Sequence, residues 1–203
     1  LEFAASSARH VVLASTSPRR RELLASLHIS FEVMPSDADE TTPDHWAPEQ
    51  IVTELALRKA KAVHATLGPA SRQAVILGSD TIVVLDGQVL GKPQDEAEAA
   101  SMLRSLQGRS HHVYTAVACI DAITARAEVE YRSTLVTMRA LTEDEIVAYA
   151  KTGEGLDKAG AYAIQGLGAI FVTGIDGCYF SVVGLPLSLV SEMLGRFGVH
   201  VLK

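Results

Sequence analysis

Cysteine is nearly absent from this chain of 203 residues: only Cys119 and Cys178 occur, far apart and each inside a strand-like run. That excludes a disulfide framework and a zinc-binding spacing, and it fits a reduced, cytoplasmic setting. Basic residues are also scarce, with 18 Lys and Arg against 24 Asp and Glu and a formal charge of −6. Broad binding to nucleic acid or to an anionic membrane is therefore excluded, and any attraction for phosphate must be concentrated on a few cations. No apolar run exceeds strand length, so none spans a bilayer, and the first residues lack a basic-then-apolar signal pattern. Leu1 to Ala8 reads as a cloning remnant or a frayed end, leaving residues 9–203 as a single domain. Internal repeats, low-complexity tracts and a convincing linker are all missing.

Three familiar motifs are missing too. Gly87-x-x-x-Gly91-Lys92-Pro93 is one residue short of a P-loop and has proline where a magnesium-holding hydroxyl belongs. No dinucleotide fingerprint follows the first strand, and no Gly-x-Ser-x-Gly elbow occurs. His111-His112 falls on a strand, where neighbours point to opposite faces, so the pair reads as structural and not as a metal site.

What is present is a core-forming composition, 48% hydrophobic and 21% charged, enough for one large or two small interlocked lobes. The apolar run His10 to Ala14 reads as a strand. A polar turn follows, and then an amphipathic helix containing Leu23, Leu24 and Leu27. Ser17 suits the cap of that helix and Pro18 its first position. Arg19, Arg20 and Arg21 then place cations where the helix dipole is already positive. This is unfavourable unless an anion sits there, held by backbone N–H groups, the hydroxyls of Ser15, Thr16 and Ser17, and the arginine forks. A phosphate-bearing ligand is the first expectation.

Further on, Val52, Leu55, Lys59 and Val63 share one face of a helix opened by Pro48. Lys59 either spreads its methylenes over apolar surface with the ammonium in water, or points into a site. Ala74 to Leu77 reads as a buried strand and Thr81 to Leu85 as its continuation or neighbour, turned by Asp86-Gly87 into Gln88 to Leu90. Asp80 interrupts this apolar stretch, where an idle carboxylate would be costly. The order to this point is strand, helix, strand, helix, hairpin, helix, the last running from about Asp95 to Gln107 with Gly108 as its stop.

Two long strands, Val113 to Ile120 and one through Val129 and Leu135, are joined through Asp121 to Arg126. Thr142 to Glu145 is a capping box for a helix ending near Gly153. A Gly-rich polar segment runs from Gly153 to Gly168, a hairpin pivots on Asp176-Gly177, and a final helix opens at Pro186. Such alternation implies an α/β protein with a mixed, twisted sheet and flanking helices. Phosphoryl chemistry needs both signs of charge, and the candidates are Arg19, Arg20, Lys59, Lys92 and Lys158 against Asp37, Asp39, Glu40, Asp80 and Asp157.

Six segments occur in an order that resembles the Maf family of nucleotide pyrophosphatases. They are Leu13 to Arg20, Leu55 to Ala60, Ser79-Asp80-Thr81, Gly91-Lys92-Pro93, Asp157 to Gly166, and Val183 to Pro186. The resemblance spans about Val11 to Leu194. It implies a two-lobed fold around a central cleft, related to the house-cleaning pyrophosphatases of the ITPase-like kind. It also implies hydrolysis between the α- and β-phosphates of a nucleoside triphosphate with a divalent cation, Mg²⁺ or Mn²⁺. On the matching positions Asp80 would accept the proton, and Ser15, Arg19, Arg20, Lys59 and Lys92 would handle phosphates. Glu40 would join Asp80 at the metal. Around Gln165 the sequence resembles the branch acting on dTTP and UTP, whose specificity positions match Arg19, Thr81 and Gln165. An amide offers a pyrimidine edge both a donor and an acceptor.

Ala163, where glycine is usual, and Tyr114-Thr115-Ala116, where many members have His-Thr-Gly, are departures outside the catalytic set. The resemblance suggests a homodimer. A second function it implies is regulation, a nucleotide-binding protein that inhibits septum formation through a partner, but no tail, amphipathic extension or basic stripe supports it. A phosphatase with an aspartyl nucleophile fits less well, because Ile82 stands where that class has a second aspartate.

Overall fold

A computed structural model describes residues 9–68 and 73–202; the expectation for Leu1 to Ala8 lies outside the described residues. The chain divides into two compact units. The first comprises residues up to Asp80, Thr115–Tyr131 and the stretch from Gly184 onward, and the second Thr81–Tyr114 and Arg132–Val183.

In the first unit, β1 (Val11–Ala14) lies parallel to both β2 (Phe31–Met34) and β3 (Val75–Leu85), with Val11 opposite Phe31 and Val75, and Ala14 opposite Met34 and Gly78. β5 (Ser110–Asp121) follows β3 in the sheet, and β6 (Ala127–Met138) follows β5. The described residues of this unit form the α-helices α1 (Pro18–Ala25), α2 (Pro48–Thr66) and α6 (Leu187–Arg196). Leu24 of α1 and Leu189, Val190, Met193 and Leu194 of α6 bury themselves with Val11, Leu13, Val75, Leu77 and Val117 of the strands. Burial on both faces explains why β1 and the first residues of β3, Val75 to Leu77, read as apolar runs. The first unit is tied at its rim by Arg9, which pairs with Asp121 at 2.8 Å and donates to the Phe197 carbonyl at 3.0 Å.

In the second unit, β4 (Gln88–Leu90) returns antiparallel along β3 through Asp86 and Gly87, both at positive φ as a two-residue hairpin requires. β7 (Val172–Asp176) pairs antiparallel with β6. The helices are α3 (Glu96–Leu106), capped by Asp95, α4 (Glu143–Lys151), and the short α5 (Tyr179–Val183). The Thr142 hydroxyl accepts from the Glu145 N–H and the Glu145 carboxylate accepts from the Thr142 N–H, the reciprocal pair expected for α4. The mixed sheet and flanking helices are those the sequence implied.

One open alternative closes and one local expectation needs correcting. Residues 75–85 form one continuous strand, so Thr81 to Leu85 is the continuation of the strand before it and Asp80 sits within it. Asp176-Gly177 does not pivot a hairpin: β7 ends there and the chain enters α5, because the Thr134 hydroxyl receives the Cys178 N–H at 3.0 Å and donates to the Cys178 carbonyl at 3.3 Å. Cys178 thus lies outside any strand. Within the Gly-rich polar segment from Gly153 to Gly168, Ala161 to Ile164 are all buried.

His111 is buried and His112 exposed, as their strand alternation required. The His111 Nε2 lies 2.7 Å from the Tyr162 hydroxyl, while Nδ1 has no partner among the described residues. Burial, and secondarily the charge of His112, lowers the His111 pKa to about 4. Between the ordinary histidine range and that value the unfolded chain binds the proton and the folded one does not. Stability should therefore be complete above about pH 6.5 and fall as the pH drops toward 4, by up to about 3 kcal/mol. Thermal melts across this window should show the slope in the parent and its loss in His111→Phe.

Candidate active site

Ser15 leaves the end of β1 buried, and its hydroxyl accepts the Ser17 N–H at 3.1 Å. Ser17 in turn caps α1 by accepting the Arg20 N–H at 3.4 Å. The first turn of α1 carries no acidic residue, so charge balance for its arginines at this electropositive helix end comes from elsewhere in the fold. Arg20 Nε donates to the Gly184 carbonyl at 2.9 Å, and the Ser79 hydroxyl donates to the same oxygen at 3.1 Å. Burial lowers the pKa of Arg20; Asp80 and Glu40 oppose that effect and Arg19 adds to it. The guanidinium thus lies within electrostatic reach of both acids and of its neighbouring arginine.

Asp80, on β3, is 6% exposed. Its Oδ1 lies 2.6 Å from Lys59 Nζ, and Glu40 Oε1 lies 2.8 Å from the same ammonium. Lys59 does not send its charge to water as the bland reading of its helix had it: its side chain is 13% exposed and holds two carboxylates. Gly78 makes this reach short. A Cβ there would stand 2.4 Å from the Ala56 carbonyl oxygen, so only glycine lets α2 approach β3 this closely.

Arg58, next to Lys59 on α2, was not among the sequence candidates. Its Nη1 donates to the carbonyls of Asp39 at 3.2 Å and Thr41 at 2.8 Å, bracketing Glu40, and its Nε donates to Glu54 at 2.9 Å. The Asp39 carboxylate accepts from the Thr41 hydroxyl and from its N–H at 2.9 Å, which lowers the Asp39 pKa. The acidic segment is therefore shaped before any ligand arrives. Of the other acids considered, Asp37 is exposed, whereas Asp157 pairs with Lys158 in the second unit at 2.5 Å.

The structure brings Arg20, Lys59, Glu40 and Asp80 together, with Arg19 beside Arg20, and Ser15 leads into the same turn. Its β1 neighbour Ala14 is paired with Gly78, two residues before Asp80. Thr81, Lys92 and Gln165 belong to the second unit. Thr81 is half-buried and follows Asp80 on β3. Lys92 is exposed just after β4, where the adjacent Gly91 carbonyl accepts the Gly160 N–H at 3.1 Å. Gln165 is half-buried at the start of a 3₁₀ turn, Gly166–Phe171. Among the described residues no three His, Cys, Asp or Glu side chains form a ready metal cage, and no helix is long and apolar enough to cross a membrane.

The first strand thus opens onto an arginine-bearing helix start beside two acids joined by a lysine, so charges of both signs meet in one unit of a mixed α/β protein. The chain belongs to the Maf family: the model described as Maf-like protein matches residues 10–197. A protein of Moorella thermoacetica named dTTP/UTP pyrophosphatase is 54% identical over 191 residues, 94% of this chain and 96% of its own. One of the same name from Pelotomaculum thermopropionicum is 50% identical over 194 residues, 96% of this chain and 100% of its own. A third, from Desulforamulus reducens, is 49% identical over 193 residues, 95% and 99%. Among solved structures, the Staphylococcus aureus Ham1 protein aligns with a TM-score of 0.46 at 15% identity, over 64% of this chain and 71% of that one.

Proposed function

We propose that this protein hydrolyses dTTP and UTP between the α- and β-phosphates, releasing the nucleoside monophosphate and pyrophosphate. The name shared by relatives at about half identity over nearly their whole length supports the substrate. The observation that carries the chemistry is Lys59 joining Asp80 and Glu40 in the unit where Arg20 feels both acids.

In this reading Ser15, Arg19, Arg20, Lys59 and Lys92 grip the phosphates, and Asp80 accepts the proton of the attacking water. Arg19, Thr81 and Gln165 discriminate the base. Two carboxylates are the donor set that suits a hard divalent cation, which takes one or two carboxylates and completes its shell with substrate phosphates and water. Asp80 and Glu40 would hold Mg²⁺ or Mn²⁺. When bound, that ion would neutralise phosphate charge and acidify a water molecule. Before substrate arrives, the Lys59 ammonium balances two acids that would otherwise repel each other.

A house-cleaning role in a reducing cytoplasm is consistent with Cys119 and Cys178 both being free thiols. Burial raises the Cys119 pKa to about 12, so it is an inert interior group. The homodimer rests on family likeness alone. The test is a nucleotide panel assayed with Mg²⁺ or Mn²⁺ for pyrophosphate. Turnover of dTTP and UTP is expected, and orthophosphate as first product, or no turnover of any nucleotide, overturns the reading.

A further inference from the structure

The segment that carries Gln165 is wrapped around one carboxylate that the reaction does not use. Glu154 Oε1 accepts the Gly168 N–H at 3.0 Å and the Tyr149 hydroxyl at 2.9 Å, and Oε2 accepts the Leu167 N–H at 3.0 Å. The Tyr149 oxygen also accepts the Ala163 N–H at 3.1 Å. Ala163 on one side and Leu167 and Gly168 on the other are thereby fixed to the same pair of side chains, and Gln165 lies between them. Lys158 Nζ donates to the Glu154 carbonyl at 2.7 Å, and the Tyr149 ring packs edge-on against Phe171 with centroids 4.9 Å apart.

The fit leaves no slack. Gly166 has φ of 77°, and a Cβ there would stand 2.6 Å from Glu154 Oε2. A Cβ on Gly168 would stand 2.3 Å from the Ala163 carbonyl and 2.8 Å from the Tyr149 hydroxyl. Burial alone would raise the Glu154 pKa, yet the two N–H groups, the Tyr149 hydroxyl and Lys158 leave it lowered, so the carboxylate stays ionised and keeps accepting.

We propose that Glu154 and Tyr149 are positioning residues for base selectivity, fixing the backbone on which Gln165 is presented to the nucleobase. This rests on the reading of Gln165 as the amide that faces the pyrimidine. An amide tells the thymine or uracil edge from that of cytosine by the placement of one donor and one acceptor, which a loop free to drift by about half an ångström would blur. The phosphates are gripped by other residues, so the loss should fall on base discrimination.

Glu154→Gln tests this with the volume kept, since an amide nitrogen cannot accept and one of the three donors must lose its partner. The expected result is a KM for dTTP raised about tenfold, a dTTP-over-dCTP preference reduced by a similar factor, and a smaller fall in kcat. Tyr149→Phe keeps the ring against Phe171 and should move selectivity the same way by less; if Glu154→Gln fails to fold, it decides alone. Amide exchange at Ala163, Leu167 and Gly168 should quicken in either folded variant. Adding Gln165→Ala to Glu154→Gln should cost no more selectivity than Gln165→Ala alone.

Selectivity and exchange rates unchanged in both variants, or a lowered melting temperature with the preference intact, overturn the proposal. The underlying reading fails separately: a parent without pyrophosphatase activity, or a Gln165→Ala variant with the parent's preference, removes the reading and this inference together. Selectivity lost in Gln165→Ala but retained in Glu154→Gln and Tyr149→Phe overturns this inference alone.

Discussion

Asp80→Asn should lower the turnover of dTTP by about 10²- to 10⁴-fold while the protein still folds. Asparagine keeps the shape of the side chain but can neither take a proton from water nor present a formal charge to a cation. β3 itself is held by the burial of Val75 to Leu77 and Ile82 to Leu85 on both sides of this position. Lys59 would retain Glu40 at 2.8 Å, so the ammonium is not stranded. Circular dichroism and a melting curve close to the parent's, beside a pyrophosphate assay reduced to a trace, is the expected pair of results. A variant within about tenfold of the parent would remove Asp80 from the proton-accepting role, since general bases contribute more than that. Titration with Mg²⁺ separates the two duties of the carboxylate. A defect repaired by excess cation assigns Asp80 to holding the ion, and one that persists at saturation assigns it to the proton.

The difference between what could and could not be read in the sequence follows the distance over which each feature is determined. The Ser17 cap, the Pro48 helix start, the Asp86-Gly87 turn and the Thr142 capping box are settled by residues within four positions of one another, and all four occur as expected. The opposed exposure of His111 and His112 is likewise a consequence of strand alternation. Lys59 was legible as an oddity on an apolar stripe, but whether its ammonium met water or an acid depended on Asp80, 21 residues on, and on an approach of α2 that Gly78 permits. The order of the family's motifs supplied that convergence; periodicity could not. Asp176-Gly177 has the composition of a hairpin turn, yet the Thr134 hydroxyl decides where the chain goes next. Gly153 to Gly168 has the composition of a loop, yet Tyr149 and Glu154 take up the N–H groups of Ala163, Leu167 and Gly168, and Ala161 to Ile164 are buried, which its composition alone does not show. Arg58 carried no signal of its own, since an arginine four residues after Glu54 on a helix reads as half of an ordinary surface ion pair.

Lys59→Met should cost both activity and stability, and a second substitution should return only the stability. Methionine retains the unbranched stem of the lysine while removing the charge that touches Asp80 at 2.6 Å and Glu40 at 2.8 Å. With two carboxylates left facing each other, binding of a triphosphate becomes unfavourable and kcat/KM should fall by about 10²-fold or more. Unfolding in denaturant should show a loss smaller than the roughly 3–5 kcal/mol typical of a broken buried pair. The reasons are that the Glu40 side chain is 57% exposed and that Arg20 still acts on Asp80. In the double variant Lys59→Met with Asp80→Asn the unpaired charge on β3 is gone, so stability should rise above that of Lys59→Met while activity stays at the level of Asp80→Asn. Such non-additivity is the signature of two groups in direct contact. Losses in stability that simply add would mean that Lys59 and Asp80 do not act on each other in solution, and the ammonium would then have to be assigned to Glu40 alone.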